Sequence, residues 1–336
     1  MVLSYAEFMT STPVSRFPSG HDANRPLARA FKKKNQKSDQ SPKRMERLKK
    51  MLSESKTGRQ TLEFLKGKGS QMIFEPMDYY GYFSPDKNLV ALNPAMSDED
   101  LAVTFVHEVR HAWQDSKMDT LSPEMTPKSF FLNGFEIEAD ACAAEVMYAH
   151  EMREKNPKIW EAHQKSPYAP MSTAFEKEFE KTGDLEKARM AALLTWYELP
   201  LKKNYADQYV DYMCLVAKEL TKQKELEPQY FAENRTAQKI ADTLGKDYDG
   251  KKFLKDAKAL ETPERLSINE KQARKLANAM LPYMAKYHRT AEDLGLDKLY
   301  VNRKDGTRVS CSEIFTQVKK ERQKKAAKAK DGKDGR

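Results

Sequence analysis

Residues 97–114 read SDEDLAVTFVHEVRHAWQ, and the fold turns on them. Ser97 followed by three acids is a helix start: the hydroxyl caps free N–H groups and the carboxylates meet the positive end of the helix dipole. Leu101, Phe105, Val109 and Ala112 then recur at i, i+4, i+8 and i+11, the apolar stripe of a packed helix. Thr104, His107, His111 and Gln114 fall on the opposite side. One face is built to pack and the other for polar chemistry.

That polar face carries His107-Glu108-Val109-Arg110-His111, an H-E-x-x-H pattern. Histidines four residues apart lie one turn apart, about 40° from each other around the axis. Two imidazoles so placed reach one zinc ion, and Glu108, displaced about 100°, can flank the ion's water without ligating. Histidines satisfied by local hydrogen bonds are the plain alternative. A catalytic zinc also needs a third protein ligand and an open position.

The third ligand is sought in residues 133–152, NGFEIEADACAAEVMYAHEM, expected as a helix from about Asn133 to Lys155. Glu136 and Asp140 share one face of it, among alanines that let a second helix approach closely. Glu136 is the preferred ligand, with Asp140 placed to accept the free N–H of a ligand histidine. Glu138, two residues on and facing another way, is the rival third ligand. His150 is too far along the helix to share the ion with Glu136. Cys142 reads as a small buried residue, Trp113 and Trp196 as core, and Arg110 and Gln114 as either surface groups or partners of the site.

HEVRHAWQ followed by E-I-E-A-D resembles the gluzincin branch of zinc metallopeptidases, including the thermolysin, Ste24/HtpX and ImmA/IrrE groups. It looks closest to a bacterial family labelled only as putative metallopeptidases. The resemblance covers roughly residues 70–155. It implies His107, His111 and Glu136 as ligands of Zn2+, Glu108 as general base, and hydrolysis of a protein or peptide substrate. The hairpin GYFSPDKNLVALN, residues 81–93, fits the edge strand against which such enzymes lay an extended substrate. Tyr148, Tyr197, Tyr205 and Tyr209 are candidates for stabilising the oxyanion. Two other readings stand beside this one: a catalytically silent zinc module, and an ImmA-like regulatory protease acting on a DNA-associated protein.

The rest of the chain predicts an α+β, zincin-like fold with a small antiparallel sheet on the metal-binding helix and a mostly helical remainder. Short amphipathic helices are expected over 41–55 and 57–69, and strands from Met72, with a turn near Pro85–Asn88. Helical pattern runs on to about Leu220, and a polar break at 221–229 suggests a boundary. The expected organisation is a disordered basic arm (1–40), a zincin-like domain (41–220), a helical accessory region (230–318) and a disordered basic tail (319–336). Ser267–Glu270 reads as a capping box, and Asp305-Gly306 as a hairpin turn.

Composition bounds the function. The 336 residues carry a net charge of +9, but residues 1–24 hold −1, residues 25–50 hold +9 and residues 319–336 hold +6, leaving residues 51–318 at −5. A nucleic-acid partner is therefore a matter for the basic ends alone. Three cysteines exclude a disulfide framework or a cysteine-based zinc site. No secretory signal or membrane-spanning run is visible, and a cytoplasmic location is expected.

Overall fold

The computed structural model describes residues 39–225 and 229–331, so nearly all of the expected N-terminal arm lies outside the described residues. Two short helices open the fold, α1 (Pro42–Ser53) and α2 (Lys56–Lys68). Each is capped by a serine side chain: Ser41 accepts from the Arg44 N–H at 3.2 Å and Ser55 from that of Gly58 at 2.8 Å. Arg44 then reaches forward, its Nε donating to Asp98 at 2.6 Å and its Nη1 to the Pro94 carbonyl at 2.6 Å. This fastens α1 to the start of the helix that carries the histidines.

Strands β1 (Gln71–Phe74), β2 (Gly81–Ser84) and β3 (Leu89–Leu92) form a sheet in the order β1-β3-β2. The β2–β3 hairpin pairs Gly81 with Leu92 and Ser84 with Leu89, turning over residues 85–88 as the sequence predicts. The expectation of an all-antiparallel sheet is corrected on the other side, where β1 runs parallel to β3. Residues 75–80 make the crossover, and Asn93 holds it: its side-chain amide donates to the Met77 and Tyr79 carbonyls, both at 2.7 Å. Strand β2 is thus a sheet edge, and it packs on α3 (Asp98–Asp115). A Cβ on Gly81 would stand 2.8 Å from both the Ala91 oxygen and the Thr104 methyl, so only glycine lets β2 run this close.

Helix α3 begins as read, with Ser97 Oγ accepting from the Asp100 N–H at 3.0 Å. Helix α4 (Pro127–Met152) starts six residues earlier than expected, because Thr126 is its cap and Pro127 its first residue. It is buried on every side, and Phe130, Phe135, Ala139, Ala143 and Val146 are fully enclosed. Around it pack α2, α3, α5 (Pro157–Gln164), α6 (Ala169–Thr182), α7 (Leu185–Trp196) and α8 (Leu201–Lys222). Its run of alanines lets these neighbours approach closely without leaving voids.

Beyond α8 come α9 (Ala237–Thr243), a 3-10 turn (Ala257–Glu261), β4 (Ser267–Asn269) and α10 (Glu270–Lys286). Strands β5 (Tyr300–Asn302) and β6 (Arg308–Ser310) pair across the Asp305-Gly306 turn, and α11 (Cys311–Asp331) follows. The sequence reading of Ser267 as a cap is corrected. Asn269 caps α10, exchanging hydrogen bonds with Gln272 at 2.9 and 2.8 Å, while Ser267–Asn269 pairs in parallel with β5 as a second three-stranded sheet. Helix α11 carries on through the start of the expected basic tail to Asp331. The architecture is α+β. Among the described residues no helix is long and apolar enough to cross a membrane.

Candidate metal centre

Helices α3 and α4 pack side by side and bring His107, His111 and Glu138 together. His107 Nε2 and His111 Nε2 are 2.9 Å apart, and a Glu138 oxygen lies 3.8 and 3.7 Å from them. His107 is buried, whereas the His111 and Glu138 side chains retain 19% and 13% of their exposure, so the cluster opens on one side. Glu108, 5% exposed, follows His107 on the same helix.

The hydrogen-bond network fixes which ring nitrogens carry hydrogen. Gln114 Nε2 donates to the Ile137 carbonyl at 2.9 Å and to Asp140 at 2.8 Å, two groups that can only accept. Its Oε1 therefore faces His111 Nδ1, 2.8 Å away, and that nitrogen must be the donor. On the other ring, His107 Nδ1 meets the Glu145 carboxylate and is likewise the donor. Both neutral rings thus turn lone pairs at Nε2 toward each other and toward Glu138 Oε2, a buried oxygen without a hydrogen-bond partner. Three lone pairs converging in this way repel unless a positive charge stands among them.

Burial works against a charge on His107, but the Glu145 carboxylate outweighs it and holds the ring well above the usual histidine range. A zinc ion answers the same demand: ligands at about 2.0–2.1 Å in tetrahedral array are about 3.3 Å apart, and the observed separations bracket that value. The residues fit a three-ligand metal with an open fourth position.

Glu136, the preferred third ligand of the sequence reading, does not join this group. Two residues before Glu138, it projects to another side of α4, is fully buried, and neither oxygen has a hydrogen-bond partner. Burial and the neighbouring Asp140 push its carboxyl well above the ordinary range. Asp140 does not touch either histidine directly. It accepts from Arg110 Nε at 2.6 Å, from Gln114 at 2.8 Å and from Arg189 Nη2 at 2.7 Å, and acts on His111 only through Gln114. Burial pushes the Asp140 carboxyl up, but the two guanidinium groups prevail and hold it below the usual value.

Arg110 and Gln114, open between surface and site in the sequence, are both fully buried. Arg110 Nη2 also donates to the carbonyls of Leu244 and Lys246 at 3.1 and 2.6 Å, and Arg189 pairs with Asp247. Chain beyond the expected break at 221–229 is thereby bound to the histidine helix. Of the four tyrosines considered, Tyr205 adjoins Glu138; burial, then that carboxylate, push its phenol well up and keep it a donor. Tyr197 lies by Glu136, Tyr148 near Glu54 and Glu151, and Tyr209 donates to the Gly134 carbonyl at 2.9 Å.

Glu145 was missed by sequence reasoning, although it sits seven residues after Glu138 and so on the same face of α4. A second cluster, His107, Cys142 and Glu145, also has metal-ligating types within reach. It suits a metal less well: His107 Nδ1 is the donor there, and burial pushes the Cys142 thiol up to about 12, away from the thiolate a metal needs.

The chain matches no curated protein and no solved structure. A family model does match it, over residues 22–254, more than half of the chain and well past the break at 221–229. That span contains both helices of the histidine–glutamate cluster and the 244–247 segment that Arg110 and Arg189 grip. The chain belongs to the putative metallopeptidase family DUF6782.

Proposed function

We propose that the protein is a zinc-dependent peptidase of the zincin type, with His107, His111 and Glu138 as ligands and Glu108 as general base. The observation that carries this reading is the convergence of two imidazole lone pairs and an unpartnered carboxylate oxygen, beside a buried glutamate. The arrangement is gluzincin-like, two histidines from one helix and a glutamate from the next, with Glu138 in the place first given to Glu136. Bound zinc would polarise a scissile carbonyl and bring the pKa of a water toward about 7.

The chain's own residues supply the rest. Gln114 and Glu145 hold the rings so that both Nε2 atoms face inward. Glu108 takes a proton from the attacking water and returns it to the leaving amine. The Tyr205 hydroxyl donates to the developing oxyanion, a group worth about 3–4 kcal/mol in comparable sites. Strand β2, the sheet edge packed on α3, offers unpaired backbone groups to an extended peptide.

The test is Glu108→Gln. The variant should keep bound zinc while cleavage of an unfolded protein such as casein falls at least 100-fold. Equal cleavage by variant and parent would remove Glu108 from its role, and a parent chain without zinc would remove the metal.

A further inference from the structure

Behind the histidine helix, between the first two turns of α3 and α5, lies a narrow cleft of about 340 Å³ including its open mouth. Tyr80, the residue before strand β2, lines it, so the cleft borders the sheet edge that is free to pair with an extended peptide. Val103 and Ile159 give it apolar walls. Its charged lining is of one sign: Glu99, Asp100 and Glu145 contribute carboxylates, and among the described residues no lysine or arginine lines it.

Acids at the start of a helix are favoured by its dipole and free N–H groups, with no ligand needed to explain them. Here the three acids of α3 divide. Asp98 is taken by Arg44 at 2.6 Å, and Asp100 accepts from Ser97 Oγ at 3.0 Å. Glu99, half-buried, has no ion-pair partner among the described residues and faces the cleft. A second feature is independent of the helix end. His163, 5% exposed, lines the cleft from α5, and its Nδ1 is 2.7 Å from Ser172 Oγ on α6. The other ring nitrogen, Nε2, is thereby turned toward the acidic lining; it is buried and has no hydrogen-bond partner, with the nearest Glu145 oxygen 3.6 Å away. A buried nitrogen left unbonded is a cost that a bound group can remove. Apolar walls, one sign of charge and an unmet nitrogen together match an aliphatic chain that ends in a cation with several N–H donors.

We propose that this cleft is a specificity pocket beside the metal centre and takes a lysine or arginine side chain of the substrate. Glu99 and Asp100 attract the cationic head, the apolar walls cover its stem, and His163 accepts from one of its N–H groups at Nε2 while donating to Ser172 from Nδ1. The proposal rests on the peptidase reading of the adjoining centre and adds to it the class of residue the substrate carries. The charge of −5 on residues 51–318 is of the sign a basic partner requires.

The experiment measures binding and cleavage by the full chain with two blocked, fluorescently labelled peptides, alanines around a central lysine and the same alanines around norleucine. Fluorescence polarisation with metal-free protein at low salt should show the lysine peptide bound about 10-fold more tightly, as a charged hydrogen bond implies. Glu99→Gln should cut that preference to roughly threefold, and Glu99→Lys should abolish it. Zinc affinity and melting temperature should stay at the parent's values in both variants, because Glu99 touches none of the proposed ligands. Zinc-loaded parent should cleave the lysine peptide with a KM lower by the same factor of about 10 and kcat little changed. Equal binding of the two peptides by the parent, or a preference that survives Glu99→Lys, overturns the pocket and leaves the metal centre standing. A lysine preference in a parent that cleaves neither peptide when loaded with zinc supports the pocket as a binding site and overturns the peptidase reading instead.

Discussion

Exchanging Glu136 and Glu138 separately for glutamine is the sharpest test of the site. Structural zinc sites with four protein ligands bind with about 10–16 kcal/mol, or roughly 3–4 kcal/mol per ligand. Glu138→Gln removes the one carboxylate facing both Nε2 atoms, so zinc affinity should fall by two to three orders of magnitude. Glu136→Gln removes no group that faces the histidines. Burial and Asp140 push the Glu136 carboxyl well above the ordinary range, and an amide of the same shape takes the place of a group whose charge is disfavoured there. Its zinc affinity should stay within about twofold of the parent and its stability within about 1 kcal/mol. Chelator competition measures the first quantity and thermal melting of the metal-free chain the second. Retained zinc in Glu138→Gln together with lost zinc in Glu136→Gln would refute the assignment and return the third ligand to Glu136.

Arg110→Met leaves Asp140 with one guanidinium partner in a site without solvent, and breaking a buried pair in this way costs about 3–5 kcal/mol; limited proteolysis should also find new cuts near residues 244–254. Lys202 donates to the Glu264 carbonyl and to Ser267 beside the rings of Phe135 and Tyr197, and burial lowers its pKa to about 7. Its folded pKa lies below the unfolded one, so the penalty is largest at and below pH 7 and fades as pH rises toward 10.5. Lys202→Met should therefore stabilise by about 4 kcal/mol at pH 7 and by little at pH 10, read from denaturant melts at both values. Gly134→Ala places a Cβ 2.6 Å from the Tyr209 ring and should cost about 1–3 kcal/mol, whereas a melting temperature equal to the parent's would mean α4 and α8 are not held at this contact.

Much of this was legible in sequence because it is local. The cap at Ser97 and the turn at 85–88 depend on neighbouring residues only. The H-E-x-x-H pair follows from helical periodicity, and so it falls where the motif puts it. The direction of β1 did not follow, because it is decided by a crossover held by Asn93, well downstream of the strand's end at Phe74. That Glu138 rather than Glu136 stands with the two histidines has a related reason. The i, i+4 spacing of Glu136 and Asp140 is a true common face, but which face meets α3 depends on Arg110 and Arg189 claiming Asp140. Periodicity tells which residues share a side, and packing tells what that side meets.

The grip of Arg110 on the Leu244 and Lys246 carbonyls bears on how this protein can be cut and recombined. A fragment ending at the polar break would strip two acceptors from a guanidinium group that has no water to turn to, and would take Asp247 from Arg189. The strain would fall on the two helices that carry the histidines and the glutamate. The segment around residues 244–247 is therefore one unit with the helices of the histidine–glutamate cluster, and a cut between them is expected to unsettle both.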